Sequence, residues 1–129
     1  MSVRIVRLGT PRARREGTRI GTVRRPPRGV PKAEFAHRDF YDVWYPELAP
    51  TEATVKLGLG ARNPAQWAGF VRRYRTEMKA PAARHAIELL AALSRDANFS
   101  VGCYCEGESR CHRSILRALL EESGAKVAP

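Results

Sequence analysis

The chain of 129 residues has no run of eighteen apolar residues, which excludes a transmembrane helix. Its first residues, Met1-Ser-Val-Arg-Ile-Val-Arg-Leu8, lack the apolar stretch and small-residue cleavage site of a signal peptide. They predict a cytoplasmic location with no membrane partner. Cysteine is scarce: Cys103, Cys105 and Cys111 are the whole set, clustered within nine positions. An odd, clustered set argues against a disulfide framework and for a metal, redox or anion site. Neither Cys-x2-Cys nor His-x3-His occurs, so the usual zinc spacings are missing. There are no internal repeats and no low-complexity segment, which excludes a solenoid. Acidic residues are nearly absent from the start of the chain. Residues 1–38 hold eleven Lys/Arg against two Asp/Glu, while residues 39–129 hold twelve against eleven, so most of the net charge of +10 sits at one end. A segment that basic attracts RNA, DNA or nucleotides. No aromatic residues interleave its arginines, however, and a solvated Arg-rich surface is the plainer reading.

What remains is the composition of one soluble domain spanning residues 1–129, with a hydrophobic fraction of 43% and a mean hydropathy of −0.41. Val3-Arg-Ile-Val-Arg-Leu8 and the alternating, β-branched Thr18-Arg-Ile-Gly-Thr-Val23 predict strands. Pro26-Pro-Arg-Gly-Val-Pro31 forbids regular structure, and Lys32 to Phe35 allows one helical turn. Asp39 to Pro50 carries four of the ten aromatics, Phe40, Tyr41, Trp44 and Tyr45, in a strand or an extended packed loop. Thr51 is a good N-cap for a helix that Gly58-Leu-Gly60 should stop. Asn63 with Pro64 opens another, whose Trp67, Phe70, Val71 and Tyr74 share one face. Pro81 opens a third, buried through Ile87, Leu90 and Leu93 or through Leu89 and Leu93. Phe99 to Tyr104 reads as a strand. The last helix is expected from an N-cap at Ser109 to about Ser123, with the apolar stripe Ile115, Leu116, Leu119, Leu120 and a terminal Gly124. The order predicts a small single-domain α/β fold with a mainly parallel sheet and flanking helices.

The stretch from Phe99 to Leu120 concentrates the chemistry, because a strand passing to a helix through a polar loop is where α/β proteins bind ligands. Three thiols and His112 are an acceptable zinc set in kind, and structural zinc at Cys103, Cys105 and Cys111 is a lesser reading. Cys111 and His112 are adjacent, and on a helix their side chains diverge by about 100°. No metal ligands are therefore assigned. As an anion site, the first turn of the last helix would act with Arg110, Arg113 and Ser114, and would lower the pKa of Cys111 and Cys105. Glu106 and Glu108 oppose an anion there, unless they pair with Arg110 and Arg113. Cys105 to Arg110 also has the length of a rhodanese-type loop. Across the sheet edge, Arg24, Arg25, Arg28 and Gly29 follow the second strand and would meet the cysteine loop if the strands are parallel.

Together, Pro27-Arg-Gly29, Trp44-Tyr-Pro-Glu-Leu-Ala-Pro50, Trp67-x2-Phe70-x3-Tyr74 and Cys103-x-Cys105-x5-Cys111-His-Arg113 resemble the family of domain of unknown function 488 (DUF488), in particular its YeaO-like branch. The likeness covers roughly residues 18–123. Where YeaO-like proteins usually carry Asp-Arg-Leu-Trp-Pro-Arg-Gly, this chain has Val23-Arg-Arg-Pro-Pro-Arg-Gly29. The resemblance implies Rossmann-like or flavodoxin-like layers and no particular reaction. The sequence thus points first to a cytoplasmic domain that binds an anionic ligand, a nucleotide or a nucleic-acid phosphate. In that reading Arg24, Arg28, Arg110 and Arg113 hold charge, with Gly29 and Ser114 beside them. Trp44 walls the pocket and Glu47 is a candidate acid or base. The alternatives are a thiol enzyme of sulfurtransferase or redox type, using Cys105 or Cys111 with His112 as base, and a basic nucleic-acid-binding module.

Overall fold

In the computed structural model, which describes residues 1–129, every β-branched run becomes a strand of one sheet and all strands run parallel. β1 is Val3–Arg7, β2 Thr18–Gly21, β3 Val43–Trp44 and β4 Phe99–Cys103, in the order β1-β4-β2-β3. The two-residue β3 is what becomes of the aromatic segment, and Pro46 turns the chain into a short 3-10 turn directly after it. The helices are α1 (Glu52–Leu59), α2 (Pro64–Glu77), α3 (Pro81–Leu93) and α4 (His112–Glu122). This is the α/β domain with a parallel sheet and flanking helices that the sequence predicts.

Register explains the two faces of the sheet. Val3 pairs with Phe99 and Ile20 with Val101, and these side chains share a face because strand residues alternate. That face meets Phe70 and Tyr74 of α2, Ala83, Ile87 and Leu90 of α3, and Ile115, Leu116 and Leu120 of α4 in one buried cluster. On the other face Arg19 stands beside Ser100, and loops rather than helices cover them. The Arg19 guanidinium is completely buried. It donates to both carboxylate oxygens of Glu16, at 2.7 and 3.0 Å, and to the carbonyls of Thr10 and Asp39. The Ser100 hydroxyl donates to the same carboxylate. Removing that much charge from water is affordable only because nearly every donor and acceptor is used. Those bonds tie the loop at 9–17 to the two central strands.

Three local expectations need correction. Gly58 lies inside α1 instead of stopping it. Phe70 packs against the bare α-carbon so closely that an added Cβ would stand 2.7 Å from the ring, and Gly60 ends the helix. On α3 the buried side is Ala83, Ala86, Ile87, Leu90 and Ala91, whereas Leu89 and Leu93 face solvent. Ser109 does not cap α4. Residues Glu108–Arg110 form a separate 3-10 turn, and extended Cys111 (φ −134°, ψ 153°) occupies the capping position with no side-chain bond. Thr51 and Asn63 do cap α1 and α2, through bonds to the Thr54 and Gln66 amides.

Candidate functional site

Because the strands are parallel, their carboxyl ends gather on one edge, and a large cavity lies there. It encloses about 1030 Å³ beyond the adjoining strands β2 and β4. The segment Val23–Arg28 after β2 forms one wall, and Cys103–Cys105 with Arg110–His112 form the floor. Val55, Lys56 and Leu59 of α1 and Trp67 and Phe70 of α2 close the far side. The proline-rich loop and the cysteine loop thus share one cavity, and the Tyr104 hydroxyl donates to the Arg25 carbonyl across it (2.9 Å).

The wall is aromatic and apolar, and the rim is basic. Arg24, Arg25, Arg28, Lys56 and Arg110 line the cavity against the single carboxylate of Glu52. Their roles differ. Arg24 is committed to the backbone, donating to the carbonyls of Pro46, Ala49 and Pro50. Arg25 pairs with Glu52. The Arg110 guanidinium lies 4.9 Å over the Trp67 ring, a cation–π contact, and donates to the Ala61 carbonyl. Arg28 and Lys56 make no hydrogen bond or ion pair through their side chains. The positive end of α4 adds to this field, since its first residue and the preceding one line the floor.

The floor holds the thiols. Cys103 and Cys111 are buried and Cys105 is half-buried. The Cys103 and Cys105 sulfurs are 3.9 Å apart. Cys111 Sγ stands 3.7 Å from His112 Nδ1, while His112 Nε2 meets the Thr22 carbonyl at 2.7 Å. A carbonyl only accepts, so Nε2 carries the proton and Nδ1 presents a lone pair to Cys111. The Tyr74 ring packs edge-on against this imidazole. Hydrogen bonds from Cys103 and Cys105 are the main reason the Cys111 thiol lies well below its usual range. Cys103 and Cys105 shift the opposite way, Cys103 because its bond to Cys105 favours its protonated form. In the same cluster, the ligand atoms of Cys103, Cys111 and His112 all lie within 4.8 Å of one another, so this group could hold a metal ion.

The other residues singled out in the sequence fall as follows. Arg113 is buried. It donates to the Cys105 carbonyl (2.7 Å) and leaves its Nε without a partner. Ser114 donates to the Cys111 carbonyl. Glu106 and Glu108 do not pair with Arg110 or Arg113: Glu108 is held by Arg117 at 2.6 Å and Glu106 stands near Arg7. Trp44 is not in the cavity wall. Its Nε1 donates to the Val23 carbonyl (2.8 Å) from outside, and it braces the strand end instead. Glu47 is exposed on the short turn after β3, away from the cavity. Gly29 adopts φ +69° just beyond the lining residues. Sequence reasoning missed Lys56 and the Thr22 carbonyl, and took Trp67 for a packing residue alone. Nothing local marks Lys56 or Thr22, since only the fold brings them to the cleft.

A family profile described as the active DUF488-N3 subclade, DUF488-N3a, matches residues 3–124. No curated protein and no solved structure matches the chain. The chain belongs to the DUF488 family.

Proposed function

We propose, for this member of the DUF488 family, that the cleft at the carboxyl edge of the sheet binds an anionic small molecule of nucleotide class. The observation that carries the reading is the composition of the cavity: five basic side chains and one carboxylate surround an apolar, aromatic pocket of about 1030 Å³. That volume is at the upper end of small-molecule sites, roughly 300–1000 Å³. Arg28, Lys56 and the helix end would meet phosphate oxygens. Trp67, Phe70 and Phe40 offer a flat apolar group its contact.

The rival basic-surface reading loses support from the arginines themselves. Arg7, Arg12, Arg19, Arg24, Arg25 and Arg38 all bond within the chain, to carboxylates or carbonyls. Much of the charge in residues 1–38 is therefore spent on folding. A thiol enzyme is the second reading, favoured by the Cys111–His112–Thr22 carbonyl relay: a nucleophile, a base and a group orienting the base. The name of the matching subclade, active, is compatible with it.

The test is a thermal-shift screen of mononucleotides, sugar phosphates, short RNA and short DNA at low and moderate salt. A ligand at a hundredfold excess over Kd should stabilise the chain by about 2.7 kcal/mol. The expected result is stabilisation by a small phosphate compound that persists at moderate salt and falls in Arg110→Ala and Lys56→Ala. Stabilisation by nucleic acid alone, vanishing with salt, would refute the cleft reading.

A further inference from the structure

We infer that Cys103, Cys111 and His112 form a zinc site whose fourth coordination position faces the cleft. Around a tetrahedral zinc, with Zn–S about 2.3 Å and Zn–N about 2.0–2.1 Å, neighbouring ligand atoms stand about 3.6–3.8 Å apart. The Cys111 sulfur and His112 Nδ1 are already at 3.7 Å, and all three donor atoms lie within 4.8 Å of one another. Small rotations of buried side chains would close the set. The adjacency of Cys111 and His112, unsuitable within a helix, is no obstacle here because Cys111 is extended and precedes the first helical residue.

Two further observations point the same way. A metal-bound histidine nearly always donates its other ring N–H to a carbonyl or carboxylate, which fixes the ring and its tautomer. His112 does this to the Thr22 carbonyl at 2.7 Å, leaving Nδ1 toward the sulfurs. The second observation is Arg113. It is 3% exposed, pairs with no carboxylate and has an unpartnered Nε, and its bond to the Cys105 carbonyl sets its charge beside the thiols. A buried cation of that kind needs a buried anion. Thiolates fixed by a metal would supply one.

Two cysteines, one histidine and an open position make a set of the catalytic type rather than the closed structural type. All three ligands line the cavity, so an oxygen of a bound anion, or water, would complete the coordination. Cys105, half-buried and 3.9 Å from Cys103, stands outside the tight group. The inference does not depend on which anion the cleft takes. It does compete with the thiol-enzyme reading, because a coordinated Cys111 is not a free nucleophile.

The experiment uses the whole chain, purified under reducing conditions without chelator. Elemental analysis should find one zinc per chain. After exchange, cobalt(II) should give sulfur-to-cobalt charge-transfer absorption and the intense visible bands of a tetrahedral site. Cys111→Ser and His112→Asn should lose the metal, while Cys105→Ser should keep it. A folded, reduced wild-type chain with neither stoichiometric zinc nor cobalt–thiolate absorption would overturn the inference, whatever the variants do. Metal retained in Cys111→Ser but lost in Cys105→Ser would overturn it as well. Because metal content is read without any anion present, failure of the phosphate screen leaves this result standing, and the reverse also holds.

Discussion

The buried pair of Glu16 and Arg19 offers the sharpest quantitative test of how the sheet is held. Both side chains are almost fully buried, at 2% and 1% exposure, so the pair is not screened as a surface pair is. Three groups favour the charged form of Glu16: Arg19, the Ser100 hydroxyl and the Ala13 amide. Burial opposes them, and the balance lowers its pKa from 4.5 to about 2. A folded pKa below the unfolded one means stability that is present above the unfolded value and lost as pH falls through the folded value. The shift corresponds to about 3 kcal/mol at neutral pH, of which roughly 2 kcal/mol is gone by pH 3. Glu16→Gln keeps the shape but leaves the Arg19 charge buried without a counterion, a change worth about 3–5 kcal/mol. Urea unfolding of wild type and Glu16→Gln should therefore show a deficit of about 3 kcal/mol or more at pH 7 that narrows by roughly 2 kcal/mol at pH 3. A deficit below about 1 kcal/mol at pH 7, or one that does not narrow on acidification, would refute the assignment of this pair as the clamp between loop 9–17 and the central strands.

Two further changes test the contacts of α2. Gly58→Ala raises helix propensity in α1, yet its Cβ would press on Phe70 at 2.7 Å, so the net effect should be destabilising by about 1–3 kcal/mol in urea unfolding; a more stable variant would mean that Phe70 yields freely. Tyr74→Phe removes the fully buried bond from the Tyr74 hydroxyl to the Leu48 carbonyl (2.7 Å) and should cost about 1–3 kcal/mol, read as a lowered Tm; an unchanged Tm would show that this bond does not hold the 46–50 turn to α2.

Helices and strands follow from local rules wherever local rules suffice. Caps at Thr51 and Asn63, proline at the first position of α2 and α3, and the stripe of α4 are properties of neighbours in the chain, and they held. Failures occurred where a distant residue decides. Gly58, inside α1, leaves its α-carbon bare for Phe70, twelve positions on, to pack against. Leu89 and Leu93 face water because α3 packs through alanines, which let the helix come close to its neighbours. An apolar stripe read by residue size favours leucine and overlooks alanine. Likewise, charge counted along residues 1–38 does not reveal that Arg12, Arg19 and Arg25 are paired in space with Asp39 and Asp42, Glu16, and Glu52.

The start of α4 carries the most consequence for the site, and it turns on the same distinction. Judged locally, Ser109 is the better cap and Cys111 should be helical, which would send Cys111 and His112 about 100° apart. Tertiary bonds hold residues 108–110 out of the helix: Arg117 takes Glu108, while Trp67 and the Ala61 carbonyl take Arg110. Cys111 is then left extended at the capping position, and its sulfur swings to 3.7 Å from His112 Nδ1. The contact with residues 61 and 67 that builds the cation–π wall of the cleft therefore also brings the thiol to the imidazole. Spacing along the chain could place the cysteines and His112 in one loop. Only the packing of α2 against that loop makes them a single chemical group.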